Sequence, residues 1–206
     1  MSQDAQAEMN PHYGPQYAVN VLRKHGGRVI VAHPAWSLLS HTTLSGLRGI
    51  TAAEIYNSMS TMPRNCLRAD ASQILDVASA HGCVLPLVAA DDAHFYDVEH
   101  CKSYVMVQAE ELTAPAILQA LDERRFYASQ GPEIKQWHID RDEIVVECSP
   151  VDTILFYSNL PWVTGRCRQG RGMTRSVYTL GTQSGESFVR CQVIDREGRS
   201  AWTSPI

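Results

Sequence analysis

The sequence predicts an α/β region over residues 1–134, followed by a small all-β, sandwich-like module over residues 135–206. Helix-type and strand-type segments alternate through the first region, which is typical of α/β folds. Two short apolar runs in it, residues 29–32 and 87–90, have the pattern of buried strands, and each ends at residues that bind metals. Beyond Gly131-Pro132, β-rich runs follow one another without a helical pattern between them.

In the α/β region, apolar residues spaced as on a helix face predict helices, and short apolar runs predict strands. The predicted helices cover residues 17–25 and 67–81, together with a third helix that Thr113 caps and that has Pro115 in its first turn. The predicted strands cover residues 28–32, 53–56, 84–90, 104–107 and 126–128. Gly26 and Gly82 are expected to end the first two helices.

Four β-rich runs make up the predicted C-terminal module, at residues 144–146, 154–157, 177–180 and 187–193. Gly, Pro, Asn and Ser residues separate these runs and predict turns. Four arginines lie close together in one of the intervening segments: Arg166, Arg168, Arg171 and Arg175. We interpret that segment as an exposed, glycine-rich loop, because it lacks the aromatic residues on which nucleic acid bases would stack.

Composition excludes several classes of function. The 206 residues carry a net charge of −4, so no nucleic acid or anionic membrane partner is expected. No stretch approaches the roughly 20 apolar residues of a membrane span, and the acidic, polar start does not resemble a signal peptide. A cytoplasmic location is therefore expected. The six cysteines form no C-x-x-C pair, and Cys148 and Cys191 are expected to be buried thiols.

Metal-binding residue types follow both buried strands of the α/β region. His33 follows the first apolar run, and Asp92 and His94 follow the second. Because the carboxyl ends of parallel strands meet at one edge of a sheet, these three side chains are expected to lie within reach of a shared ion. Imidazole and carboxylate together suit Zn²⁺, Mn²⁺ or Fe²⁺. The sequence thus predicts a divalent metal site at this edge.

Other polar residues near these strand ends are candidates for contacting a substrate or supporting the metal ligands. They are Glu54, Asn57, Asp91, His41 and His100. No nucleophile elbow, Walker A loop or dinucleotide fingerprint offers a competing chemistry.

Residues 26–37, 53–57 and 90–94 resemble the PHP (polymerase and histidinol phosphatase) superfamily of metallohydrolases. Residues 126–132 and 190–206 resemble its carbaryl-hydrolase-like branch. The resemblance implies a distorted (β/α)7 barrel that binds up to three metal ions and hydrolyses phosphate esters, or related bonds, of small molecules. It matches His33 to a late histidine ligand of the family, and Asp92 and His94 to the closing Asp-x-His ligands.

The family's barrel opens with a His-x-His motif, and this chain contains none. The resemblance therefore covers the C-terminal part of the barrel, with an incomplete metal site and the N-terminal half missing. Three interpretations stay open: a phosphoesterase that needs the missing half, a catalytically inactive binding or scaffold module, and an ester or carbamate hydrolase. A partial barrel would expose strand edges near residues 29–32 and Phe126, which predicts self-association or a complementing N-terminal half.

Overall fold

Five α-helices and ten β-strands form in the computed structural model, within residues 2–181 and 184–206, which the structure describes. The helices are α1 (Gln3–Glu8), α2 (Pro15–Lys24), α3 (His41–Gly46), α4 (Ser72–Ala80) and α5 (Ala114–Asp122). The strands are β1 (Ile30–Val31), β2 (Ala52–Asn57), β3 (Leu87–Ala90), β4 (Tyr104–Val107), β5 (Phe126–Ser129), β6 (Ile134–Asp140), β7 (Glu143–Ser158), β8 (Cys167–Thr179), β9 (Val189–Ile194) and β10 (Ser200–Trp202). The predicted mixed α/β class is confirmed.

A three-stranded parallel sheet, in the order β1-β2-β3, carries the candidate site. β2 and β3 are largely apolar because both of their faces are covered, and Ile55 and Leu87 are almost fully buried. Leu44 of α3 and Leu75 of α4 pack in the same core, together with Trp202 from the C-terminal strand. The site therefore stands on a buried, packed platform.

The second sheet is antiparallel in the order β4-β5-β10-β9-β7-β6, and β8 pairs along β7. The long β7 pairs with β6 through its first half and with β9 through its second, with register shifts between Glu147 and Thr153. Such irregularities bend a strand and increase its twist, which lets one continuous strand serve both neighbours.

The antiparallel sheet contains strands from both sides of residue 134. β5 pairs with β10, with Ala128 opposite Trp202 and Ser129 opposite Ala201. The antiparallel sheet is therefore continuous across residues 134 and 135. The division of the chain into two domains at this point stays a prediction.

Two sequence-based expectations are wrong. The strand near Phe126 is not an exposed edge, because β5 lies between β4 and β10 and is paired on both sides. The arginine-rich segment is not a loop, because Arg168, Arg171 and Arg175 lie on β8, where backbone pairing to β7 maintains an exposed strand. The expected edge at residues 29–32 is confirmed: within the described chain β1 pairs only with β2.

Among the residues that the structure describes, no helix has both the length and the apolar character needed to cross a bilayer. Cys148 and Cys191 are buried free thiols, as expected. Burial raises the pKa of Cys148 to about 11, so this thiol is protonated and unreactive at neutral pH.

Candidate functional site

The ends of three parallel strands place the candidate residues at one edge of the small sheet. Val31 pairs with Ala53, and Asn57, the last residue of β2, pairs with Ala90 at the end of β3. His33 follows β1 by two residues and Asp92 follows β3 by two residues. Since the strands run in the same direction, the loops that carry these residues leave the sheet on the same side.

A β-bulge in β2 brings Glu54 and Asn57 together. Glu54 lies opposite Val88 and Tyr56 lies opposite Ala89, so Ile55 is an extra residue in β2. In a regular strand, residues three apart point to opposite faces of the sheet. With the extra residue, the Asn57 Nδ2 atom donates to Glu54 Oε2 at 2.9 Å.

Asn57 joins two carboxylates through its side-chain amide. Besides Glu54, its Nδ2 atom donates to Asp92 Oδ2 at 3.2 Å. Its Oδ1 atom accepts hydrogen bonds from the backbone N–H groups of Met59 and Ser60, both at 3.1 Å, and from the Ser60 hydroxyl at 3.0 Å. A flipped amide would turn its NH₂ group toward these donors, so the orientation of Asn57 is fixed.

The side chain of His33 is oriented by two contacts. Its Nδ1 atom lies 2.8 Å from Ser37 Oγ, and its ring centroid lies 5.0 Å from that of Trp36 in an edge-to-face arrangement. Its backbone N–H donates to Glu54 Oε2 at 2.7 Å. With Nδ1 engaged, Nε2 is left available to a ligand, which is the usual arrangement for a metal-binding histidine.

His33 and Asp92 both adopt left-handed backbone conformations, with φ values of 33° and 55°. Leu38 and Cys101, in the same two loops, also have positive φ. Such conformations cost a non-glycine residue about 1–3 kcal/mol and concentrate where a side chain must be held in a particular direction. The two predicted ligands that follow β1 and β3 are thus among the strained residues of the chain.

Glu99 holds the loop that carries His94. Its Oε2 atom accepts hydrogen bonds from the backbone N–H groups of His94 at 2.7 Å and Phe95 at 2.8 Å. Its Oε1 atom lies 2.7 Å from the Arg64 guanidinium. Burial alone would raise the pKa of Glu99, but the two N–H groups and Arg64 outweigh it and hold the pKa below its usual value.

The other candidate residues have different surroundings. Asp91 accepts hydrogen bonds at Oδ1 from the backbone N–H groups of Lys102 and Ser103, so it closes the same loop. The His41 ring, at the start of α3, lies 4.8 Å from that of His81. His94 and His100 are exposed. Sequence reasoning missed Glu99, Arg64 and Ser37, because isolated polar residues in loops belong to no periodic pattern.

The donor types suit a divalent cation, but the described arrangement does not complete a site. Within residues 2–181 and 184–206, no three His, Cys, Asp or Glu side chains are grouped closely enough to hold one ion. Glu54 is only 8% exposed, and its Oε2 atom contacts two neutral donors, which compensate a buried negative charge only in part. The edge is thus an anionic site that requires further donors to enclose an ion.

Replacing Asn57 with aspartate should destabilise the protein in a pH-dependent way. The new carboxylate cannot donate to Glu54 or Asp92 and would repel both, which should cost on the order of 3 kcal/mol near neutral pH. Its pKa in the folded state would exceed that in the unfolded state, so the penalty should shrink as the pH falls toward about 4. Urea unfolding near neutral pH and at about pH 4, in the presence of a chelator, measures the destabilisation. Asn20→Asp, on the exposed side of α2, is the control. Equal penalties at both pH values would contradict the shared contact.

Comparison with known proteins gives limited similarity. No family model matches the chain, and no curated protein matches it. Among solved structures, the chain is similar to a two-domain protein from Bacteroides vulgatus that contains a predicted PHP-like metal-dependent phosphoesterase. The TM-score is 0.45 at 16% identity, over 99% of this chain and 68% of the other.

Proposed function

We propose that the carboxyl edge of the three-stranded sheet is the site of a metal-dependent hydrolase of the phosphoesterase type, related to the PHP superfamily. We assign His33, Asp92 and His94 to it as metal-binding residues for Zn²⁺, Mn²⁺ or Fe²⁺, and these residues would have to move closer together or be joined by further donors to enclose the ion. The parallel sheet is part of a distorted (β/α)7 barrel. The relation to the carbaryl-hydrolase-like branch rests on residues 126–132 and 190–206 alone.

The shared contact at Asn57 carries this proposal. One buried amide holds the carboxylates of Glu54 and Asp92 together beside His33, whose ring Ser37 orients. Holding two carboxylates close together is unfavourable unless donors or a cation offset their repulsion. A divalent ion bound at this edge would offset that repulsion and hold the two carboxylates in place.

The chain's own residues contribute orientation and support. Glu54 fixes the backbone of His33, Asn57 fixes the carboxylate of Asp92, and Glu99 fixes the loop at His94. Because the described residues do not enclose an ion, hydrolysis by this chain is expected to be slow. A complementing N-terminal half that supplies further ligands would raise the rate.

A catalytically inactive binding module is the second candidate. The observation that favours it is the lack of a three-donor group among the described residues. In such a protein, Glu54, Asn57 and Asp92 would serve only to stabilise the loops at this edge.

Hydrolysis of p-nitrophenyl phosphate distinguishes these two functions. The purified chain with added Mn²⁺ or Zn²⁺ should release p-nitrophenol slowly, and a chelator should stop the reaction. Asp92→Asn should abolish turnover, because an amide does not replace a carboxylate ligand. Asp97→Asn, an exposed residue of the same loop, should leave it unchanged. Turnover that survives Asp92→Asn would contradict the proposed site, and a lack of metal-dependent turnover would favour the inactive module.

A further inference from the structure

Exposed apolar side chains are concentrated at the edge that carries the candidate site. Fifteen large hydrophobic side chains are exposed in the described part of the chain, and seven of them lie in the loops after β1, β2 and β3. These are Trp36, Leu38, Met62, Leu67, Phe95, Tyr96 and Val98. Two of them, Trp36 and Phe95, contact the neighbouring residues Asn65 and Arg64, so these two rings lie in one part of this edge. Exposed apolar groups that lie together among polar groups mark binding sites.

Trp36 is held in place although 44% of its surface is exposed. Its indole Nε1–H donates to Asn65 Oδ1 at 3.2 Å, which links the loop after β1 to the loop after β2. Its ring and the His33 ring form an edge-to-face pair with centroids 5.0 Å apart. The Trp36 ring is therefore fixed relative to a proposed metal ligand while remaining accessible to a small molecule.

Phe95 is also held while 56% of it is exposed. Its backbone N–H donates to Glu99, and the guanidinium carbon of Arg64 lies 5.2 Å from the centre of its ring. Arg64 in turn pairs with the buried carboxylate of Glu99. These contacts tie the loop after β3 to the loop after β2, and they place an accessible ring directly after His94.

Two fixed, accessible aromatic rings next to proposed ligands favour a small ligand with a flat apolar group. Binding a ligand usually orders exposed side chains, which costs conformational entropy. A ring that is already held in place loses less conformational entropy when a ligand binds. Aromatic rings gain additional free energy when they pack against another ring. We propose that this edge selects phosphate esters of aromatic alcohols, with Trp36 and Phe95 contacting the aromatic group. This specificity rests on the proposed phosphoesterase function, because that function places the ester bond beside His33 and Asp92.

Calorimetric titration with two non-hydrolysable phosphonates tests this specificity. In excess Mn²⁺, the full chain should bind phenylphosphonate about tenfold more tightly than methylphosphonate. Phe95→Ala should reduce the affinity for phenylphosphonate several-fold and leave that for methylphosphonate unchanged. Trp36→Ala removes a ring that also contacts His33, so it should reduce the affinity for phenylphosphonate by a larger factor than that for methylphosphonate. Trp162→Ala removes an indole that is 77% exposed on the loop between β7 and β8, and it should change neither affinity.

Several results would overturn the inference. Equal affinities for the two phosphonates, no binding of either one, or a phenyl preference that both variants retain would each exclude the proposed aromatic contact. In another outcome, the chain sediments in a concentration-dependent way that Trp36→Ala and Phe95→Ala both abolish. That result would identify a second copy of the chain as the occupant of this edge, and it would also exclude the proposed contact with an aromatic ligand. Metal-dependent hydrolysis without a phenyl preference overturns only the specificity. A phenyl preference that depends on both rings, without turnover, supports the aromatic site and overturns only the hydrolase.

Discussion

Replacing Asp76 with alanine is expected to lower the free energy of unfolding by about 3–5 kcal/mol, one of the largest effects of any single substitution in this chain. Asp76, on α4, accepts two hydrogen bonds from Arg190 on β9, Oδ1 from Nε at 2.6 Å and Oδ2 from Nη2 at 2.7 Å. Arg190 is fully buried, and its guanidinium lies 3.9 Å from the centre of the Tyr157 ring. Without the carboxylate, a positive charge would remain buried with only an aromatic face to compensate it.

Urea unfolding followed by circular dichroism measures this effect. Glu147→Ala is the control, because the Glu147–Arg175 pair is exposed and 3.7 Å long, and it should cost less than about 1 kcal/mol. A double replacement, Asp76→Leu with Arg190→Met, should recover much of the loss, since it removes both charges. If Asp76→Ala costs no more than the control, the pair does not join α4 to the antiparallel sheet as described.

Trp202→Ala should destabilise the protein by about 3–5 kcal/mol, for a different reason. Trp202 is 1% exposed, and its ring stacks on Tyr56 with the centroids 5.7 Å apart. It belongs to β10 of the antiparallel sheet but packs in the core of the parallel sheet, beside Ile55 and Leu75. Removing the indole leaves a cavity at the junction of the two sheets, which neighbouring side chains cannot fill completely.

The size of the cavity can be graded by substitution. Trp202→Phe keeps an aromatic ring against Tyr56 and should cost clearly less than Trp202→Ala, while Trp162→Ala at an exposed position should cost little. Urea unfolding of the three variants under the same conditions gives the order. A Trp202→Ala penalty equal to that of Trp162→Ala would mean that the C-terminal strand does not share the core of the site-bearing sheet.

Local patterns in the sequence predicted some elements outside the site well. The strand at residues 104–107 has the predicted bounds. Thr113 caps α5 through its side chain, with Pro115 in the first turn, as expected. Both features depend on residues that are close in sequence. They can therefore be predicted from a single short segment of the chain.

Features that depend on distant partners could not be read from the sequence. Arg190 and Asp76 are 114 positions apart, and nothing in either segment indicates their pairing. The arginine-rich strand β8 is largely exposed, so its backbone pairing with β7 leaves no apolar pattern. The extra residue at Ile55, which turns Glu54 toward Asn57, depends on the register with β3 and is invisible in the order of residues.

The central claim is that the carboxyl edge of the parallel sheet binds a divalent ion through His33, Asp92 and His94. Titration of the purified chain with Mn²⁺, with free ion measured by electron paramagnetic resonance, tests it without requiring turnover. We expect saturable binding that His33→Ala and Asp92→Asn each weaken at least about tenfold, while Asp97→Asn leaves it unchanged. Binding that is absent, non-saturable or equal in all four proteins would contradict the account.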